Sequence, residues 1–133
     1  MITSAPLTKL YNKYNLLLFD NKLPKVTIRI DETLPQPTSD GGMLLAYTMN
    51  KRRIYFAKSI SRYSFLRLGW SKLTRTLLIH EMIHVYLFTV GSSSNHTKAF
   101  FRLYKSKLLE AGLKPLRDVE WYSKSAKAVL KEK

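Results

Sequence analysis

The chain has 133 residues, 45% of them hydrophobic, a size and composition that fit one compact domain with a packed core. It contains no cysteine, which excludes a disulfide framework and a cysteine-built zinc ribbon and leaves histidine and carboxylate as the only strong metal ligands. The 23 Lys and Arg against 9 Asp and Glu give a formal charge of +14, which favours a polyanion such as nucleic acid through counterion release, with solubility or weak membrane-surface binding as the plainer reading.

Met1 to Pro6 shows no basic segment followed by an apolar core, and the longest apolar stretches, such as Leu16 to Phe19, are far too short to span a bilayer. The expectation is a cytoplasmic protein that is neither secreted nor membrane-bound. Leu7, Leu10, Tyr11, Tyr14, Leu17 and Leu18 recur at helical spacing, and Asn21 stands where that helix would end, before Leu23-Pro24. Val26, Ile28 and Ile30 alternate with Thr27 and Arg29 as in a half-buried strand, and Pro35 through Gly41-Gly42 reads as a loop. Met43 to Met49 and Arg53 to Ala57 read as two more strands joined by a turn at Asn50-Lys51, making a short antiparallel sheet.

From Ser71 or Thr74 to about Val90 there is neither Gly nor Pro, and Leu77, Leu78, Ile79, Met82, Ile83, Val85, Leu87 and Phe88 leave almost no polar face. A helix apolar all round is a buried one. Gly91 stops it, Ser92 to Asn95 offers N-cap candidates, and a further helix runs from near His96 to Ala111-Gly112. Beyond Pro115 the Lys-rich stretch Arg117 to Lys133 holds a last helical pattern around Val119, Tyr122, Ala126 and Leu130. The chain therefore divides into a core over 7–112 and a basic C-terminal segment over 113–133 of a single domain, α+β in class, with a small sheet packed on a helical layer.

The chemistry concentrates in His80, Glu81, Met82, Ile83 and His84, an HExxH segment on the apolar helix. Residues four apart on a helix lie within ~40° of each other, so both imidazoles reach one ion. Glu81, ~100° round from His80, is poorly placed as a ligand but reaches a water at an open zinc position. Core histidines bonded to backbone are the ordinary explanation of such residues. With three His and five Glu in the chain, however, a chance HExxH is expected in only roughly a few per thousand such sequences. Catalytic zinc needs a third protein ligand, and His96 is the remaining histidine. Phe100 and Leu103 continue an apolar stripe from it that would pack its helix on the first. Glu110 and Glu120 are the carboxylate alternatives; Glu110 would lie ~21 Å along the helix from His96, so the two cannot share an ion. The compact HExxHxxGxxH spacing is excluded, since Leu87 and Val90 occupy its glycine and third-histidine positions.

Tyr11-Asn12 and Phe19, then Leu23-Pro24, a Gly-containing strand pair, Leu77 to His84 as LLIHEMIH, and His96 with Phe100 resemble the SprT-like family of zinc metalloproteases, which includes the Spartan-type proteases that digest DNA-crosslinked proteins. The resemblance runs from about Leu7 to Gly112. It implies that His80, His84 and His96 hold one Zn2+, that Glu81 is the catalytic base, and that the substrate is linked to DNA, as in DNA–protein crosslink repair. Asn95-His96-Thr97 departs from the His-Gly that members often carry, and the downstream cysteine zinc ribbon of many members is missing. The chain thus looks like a compact form of the family.

The resulting expectation is a zinc-dependent endopeptidase, working as a monomer on a protein substrate, in which Glu81 deprotonates the attacking water and returns the proton to the leaving amine. Tyr86 and Tyr104 are the tyrosines nearest the motif, and neither is marked by the sequence as an oxyanion stabiliser. Substrate could add as a strand to the sheet edge. Lys51, Arg52 and Arg53 at the hairpin, Lys98, Arg102 and Lys105 on the second helix, and Lys124, Lys127 and Lys131 on the last are candidate contacts to single-stranded or duplex DNA, each also readable as a solvated surface. The alternatives are a non-catalytic DNA-binding protein or scaffold with a structural zinc, which would need a carboxylate as fourth ligand, and an HExxH enzyme acting on a small peptide or amide.

Overall fold

Leu7, Leu10, Tyr11, Tyr14 and Leu18 lie on the buried face of helix α1 (Ala5–Phe19) in a computed structural model that describes residues 5–34, 36–37, 43–50, 52–58, 72–91 and 97–113. Leu17, expected on that face, instead points outward at 62% exposure, and Asn15 and Phe19 complete the buried surface. The helix ends where Asp20 and Asn21 take left-handed backbone angles (φ 51° and 61°), which short polar side chains tolerate best after glycine. The Asn21 N–H reaches back to the Asn15 carbonyl at 2.8 Å and closes the last turn.

The following chain is pinned to α1 by side chains. Asn15 donates from Nδ2 to the Leu23 carbonyl and accepts from the Leu23 N–H, both at 3.0 Å, and the Tyr11 hydroxyl donates to the Pro24 carbonyl at 2.7 Å. Leu23-Pro24 is therefore more than a helix break; it is a docked segment that launches the sheet.

Strands β1 (Thr27–Ile30), β4 (Ala46–Asn50) and β5 (Arg53–Phe56) form a sheet in the order β1-β5-β4. β4 pairs with β5 as the expected antiparallel hairpin, but β1 pairs with β5 in parallel, from Thr27↔Arg53 to Ile30↔Phe56. The sheet is thus mixed, not antiparallel. Met43 to Met49 is also not one strand: β3 (Met43–Leu44) pairs with β2 (Gln36–Pro37), inside what reads as a loop in sequence, and β4 starts afresh at Ala46. The α+β class stands.

Strand alternation gives the sheet two faces. Ile28, Ile54, Phe56 and Ala46 are buried, with Thr48 in register opposite Ile54, whereas Arg29, Tyr47 and Tyr55 occupy the other, wetter face. The buried face meets α2 (Lys72–Thr89) through β4, α2 in turn packs on α3 (Lys98–Glu110), and α1 touches both β1 and α2. Leu78, Ile79, Met82, Ile83 and Val85 of α2 are fully buried between these partners. The expectation of a helix buried on all sides holds from Thr76 to Ile83 and at Val85, while Lys72 is exposed and Arg75 and His84 are half-buried. Beyond Val85, Phe88 is partly exposed and Val90 is open to solvent. Gly91, at φ +73°, ends it in a conformation that favours glycine.

α3 starts slightly later than expected. Its N-cap is Thr97, whose hydroxyl accepts from the Phe100 N–H at 3.2 Å, while Ser92 to Asn95 lie outside the described residues. Phe100, Phe101, Tyr104 and Leu108 form its buried face, with Leu103 half-buried beside them. Gly112, at φ +74°, follows its end as the sequence suggests. The basic segment from Lys114 onward, with Lys124, Lys127 and Lys131, lies outside the described residues. No helix among those described is long and apolar enough to cross a membrane.

Candidate active site

The middle of α2 brings the HExxH side chains together under the sheet. The His80 and His84 rings stand 5.2 Å apart between centroids, edge to face, with His80 buried and His84 half-exposed. Two imidazoles one helical turn apart, one of them open to solvent, suit a tetrahedral N-donor cation such as zinc better than a hard oxygen-loving ion. α3 supplies the wall behind them. Phe100 packs 5.0 Å from the His80 ring and 4.6 Å from the His84 ring, and Tyr104 packs 5.1 Å from His80.

Glu81 is 4% exposed, and its side chain meets β4: the Thr48 hydroxyl donates to Oε1 at 3.0 Å and lies 3.2 Å from the Glu81 main-chain carbonyl. Burial pushes the Glu81 carboxyl up to about 8, against the opposing pull of the Thr48 hydrogen bond. A buried carboxyl with raised proton affinity, one residue after His80 and three before His84, is the kind of perturbed group that clusters at functional sites.

His96 lies outside the described residues. Its chain neighbour Thr97 caps α3, and Phe100, four positions on, is the residue that touches both imidazoles. Among the described residues there is no group of three or more His, Asp or Glu that could hold a metal, so His80 and His84 would need a ligand such as His96 to complete a site. Glu110, the carboxylate alternative, pairs with Lys107 at 3.2 Å near the far end of α3.

The two tyrosines near the motif are committed to packing. Tyr104 is fully buried and donates its hydroxyl to the Thr76 carbonyl at 3.3 Å, and Tyr86 packs 5.9 Å from the Phe19 ring. Thr48 is the site residue that motif spacing does not reveal. Its signal is parity: it is a polar residue at an inward position of a strand whose neighbour two places back, Ala46, is buried. Of the basic candidates, Arg52 and Arg53 are exposed at the β4–β5 turn, Lys98 and Arg102 are exposed on α3, Lys105 is half-buried there, and Lys51 lies outside the described residues.

The motif, the docked Leu-Pro segment and the capped third helix occur together in one recognisable domain. The model of the SprT-like family matches residues 7–110. The chain belongs to the SprT-like family. Membership identifies a metallopeptidase-like domain of a family that is generally zinc-dependent, and the match ends where α3 ends. No curated protein and no solved structure matches the chain.

Proposed function

We propose that this SprT-like protein is a zinc-dependent endopeptidase of the HExxH type that hydrolyses peptide bonds in DNA-associated proteins, including proteins crosslinked to DNA. The observation that carries the reading is the buried Glu81 carboxyl set beside the paired imidazoles of His80 and His84. Polar groups inside an apolar helix are destabilising unless they are hydrogen-bonded, paired or bound to a metal, and ionisable groups perturbed by burial cluster at functional sites.

His80, His84 and His96 would hold the ion. Zinc, when bound, would supply polarisation of the scissile carbonyl and a lowered pKa for water. Glu81 takes the proton of the attacking water on Oε1 or Oε2, and gives it to the amine as the peptide bond breaks. Phe100 and Tyr104 keep the imidazoles oriented and exclude water from the far side.

Among the described residues β4 is an edge strand of the three-stranded sheet, directly beside Glu81, so an extended substrate adding to that edge would pass the site using main-chain hydrogen bonds and little side-chain specificity. The net charge of +14 and the exposed Arg52, Arg53, Lys98 and Arg102 support a DNA-bound substrate, since DNA would concentrate enzyme and target on one polymer.

The test is cleavage of a basic DNA-binding protein by wild type and Glu81→Gln, with and without single-stranded DNA. Cleavage by wild type alone, increased by DNA, is the expected result. Equal cleavage by Glu81→Gln would remove the mechanism, and cleavage indifferent to DNA would remove the DNA-linked substrate.

A further inference from the structure

The side chain that meets Glu81 comes from the sheet, 33 residues away in sequence, and it meets that glutamate at two places of different kind. Thr48 Oγ1 lies 3.0 Å from a carboxyl oxygen of Glu81 and 3.2 Å from the carbonyl oxygen of the same residue. One hydroxyl therefore touches both the fixed and the movable end of a single glutamate. The ladder between β4 and β5 shifts register between Thr48 and Asn50, immediately after this residue, and bulges of this kind re-aim side chains.

We infer that Thr48 is the positioning residue for the Glu81 carboxyl, holding it in one rotamer beside the imidazoles of His80 and His84. The inference rests on the reading of Glu81 as the base.

The physical argument concerns the hydroxyl. A threonine is stiff about χ1, so an oxygen carried on a paired strand is a fixed point, whereas a glutamate side chain has three torsions to lose. A hydroxyl has one hydrogen to give and two lone pairs to receive with. Thr48 gives its hydrogen to Oε1, which leaves Oε2 to exchange the proton with the attacking water and the leaving amine. The Glu81 carbonyl, within reach of the same hydroxyl, ties that fixed point to the helix backbone that carries the carboxyl.

Because Thr48 stands on the strand edge where substrate would add, the same residue sets the distance from the docking strand to the base. Removing its hydroxyl should impair the reacting geometry more than the affinity for substrate.

The experiment compares wild type, Thr48→Val and Thr48→Ser for zinc content, kcat and KM on one protein substrate. It adds a double-mutant cycle on unfolding of the zinc-free protein with Thr48→Val and Glu81→Ala. The expected result is one zinc per chain in all three, kcat lowered about 10- to 100-fold in Thr48→Val with KM within about twofold, and kcat within about fivefold of wild type in Thr48→Ser. In the cycle, Thr48→Val should shift the denaturation midpoint less when Glu81 is already alanine, because the hydrogen bond to the carbonyl survives that change and the one to the carboxyl does not. Active wild type with unchanged kcat in Thr48→Val, or additive effects in the cycle, would overturn the positioning role alone. Loss of zinc together with kcat in Thr48→Val would overturn it in favour of a purely structural tie between sheet and helix. Inactive wild type would sink the protease reading and the positioning role with it.

Discussion

The ring of Phe100 lies 4.6 Å from the ring of His84, with 37° between their planes, and through this ring α3 reaches the paired imidazoles. Phe100 is almost fully buried and stands on the first turn of α3, where its N–H is also held by the Thr97 cap. Phe100→Ala should destabilise the zinc-free protein by roughly 3–5 kcal/mol through the apolar area no longer buried and the cavity left behind. It should also weaken zinc binding, because His80 and His84 lose the wall that orients them. Phe100→Leu should recover most of both. Denaturant unfolding and a zinc competition titration measure the two effects, and zinc affinity unchanged in a folded Phe100→Ala protein would contradict the second.

Glu81 makes the zinc-free protein sensitive to pH. Burial raises its carboxyl from 4.5 to about 8. The folded chain therefore keeps a proton that the unfolded chain gives up, and the stability contributed by the neutral acid is complete below pH 4.5 and is lost as pH rises to about 8. Glu81→Gln keeps the shape without the titration. Its stability relative to wild type should climb across that window by a few kcal/mol, at ~1.4 kcal/mol per pH unit. Unfolding free energies of both proteins at several pH values in a chelator give the comparison; parallel curves would mean that Glu81 is not a buried acid.

Asn15 supports the fold at a distance from the chemistry. Asn15→Leu removes both hydrogen bonds to Leu23 and strands a buried N–H and carbonyl, for an expected loss of roughly 2–4 kcal/mol. Since α1 touches α2 without contributing to the site, zinc stoichiometry at low temperature should be unaltered. Urea unfolding with parallel metal analysis checks both halves.

The basic clusters separate under mutation. Arg52→Glu with Arg53→Glu addresses the hairpin, and Lys98→Glu with Arg102→Glu and Lys105→Glu addresses α3. The cluster that neutralises phosphate should, when reversed, weaken binding to DNA of any sequence and flatten the dependence of log affinity on log salt by about one unit for each phosphate no longer neutralised. Near-neutral effects in both sets, with the salt slope intact, would leave the charge as a matter of solubility.

The parts of this molecule that the sequence reveals are those whose signals are local. The α2 helix, its stop at Gly91, the β4–β5 hairpin and the HExxH geometry follow from spacing over a few residues. What escapes depends on partners distant in sequence. The parallel pairing of β1 with β5 leaves no trace in either strand's alternation, because a strand looks the same whichever neighbour it meets. Periodicity places Leu17 inside, although Asn15, which periodicity ignores, takes buried space by binding the Leu23 backbone. The Ser-rich run before α3 offers so many capping side chains that it hides the cap at Thr97. Within the site, Glu81 is marked by its place in the motif, but its environment, and hence its raised proton affinity, is set by β4 and Thr48 from across the fold.

Zinc content tests the central claim most directly, measured by elemental analysis on wild type, Glu81→Gln and His96→Ala alongside cleavage of a basic DNA-binding protein. One zinc per chain in wild type and in Glu81→Gln, substoichiometric zinc in His96→Ala, and cleavage by wild type alone is the predicted result. Wild type that binds no zinc, or a zinc-free protein that cleaves as well as the loaded one, would contradict it.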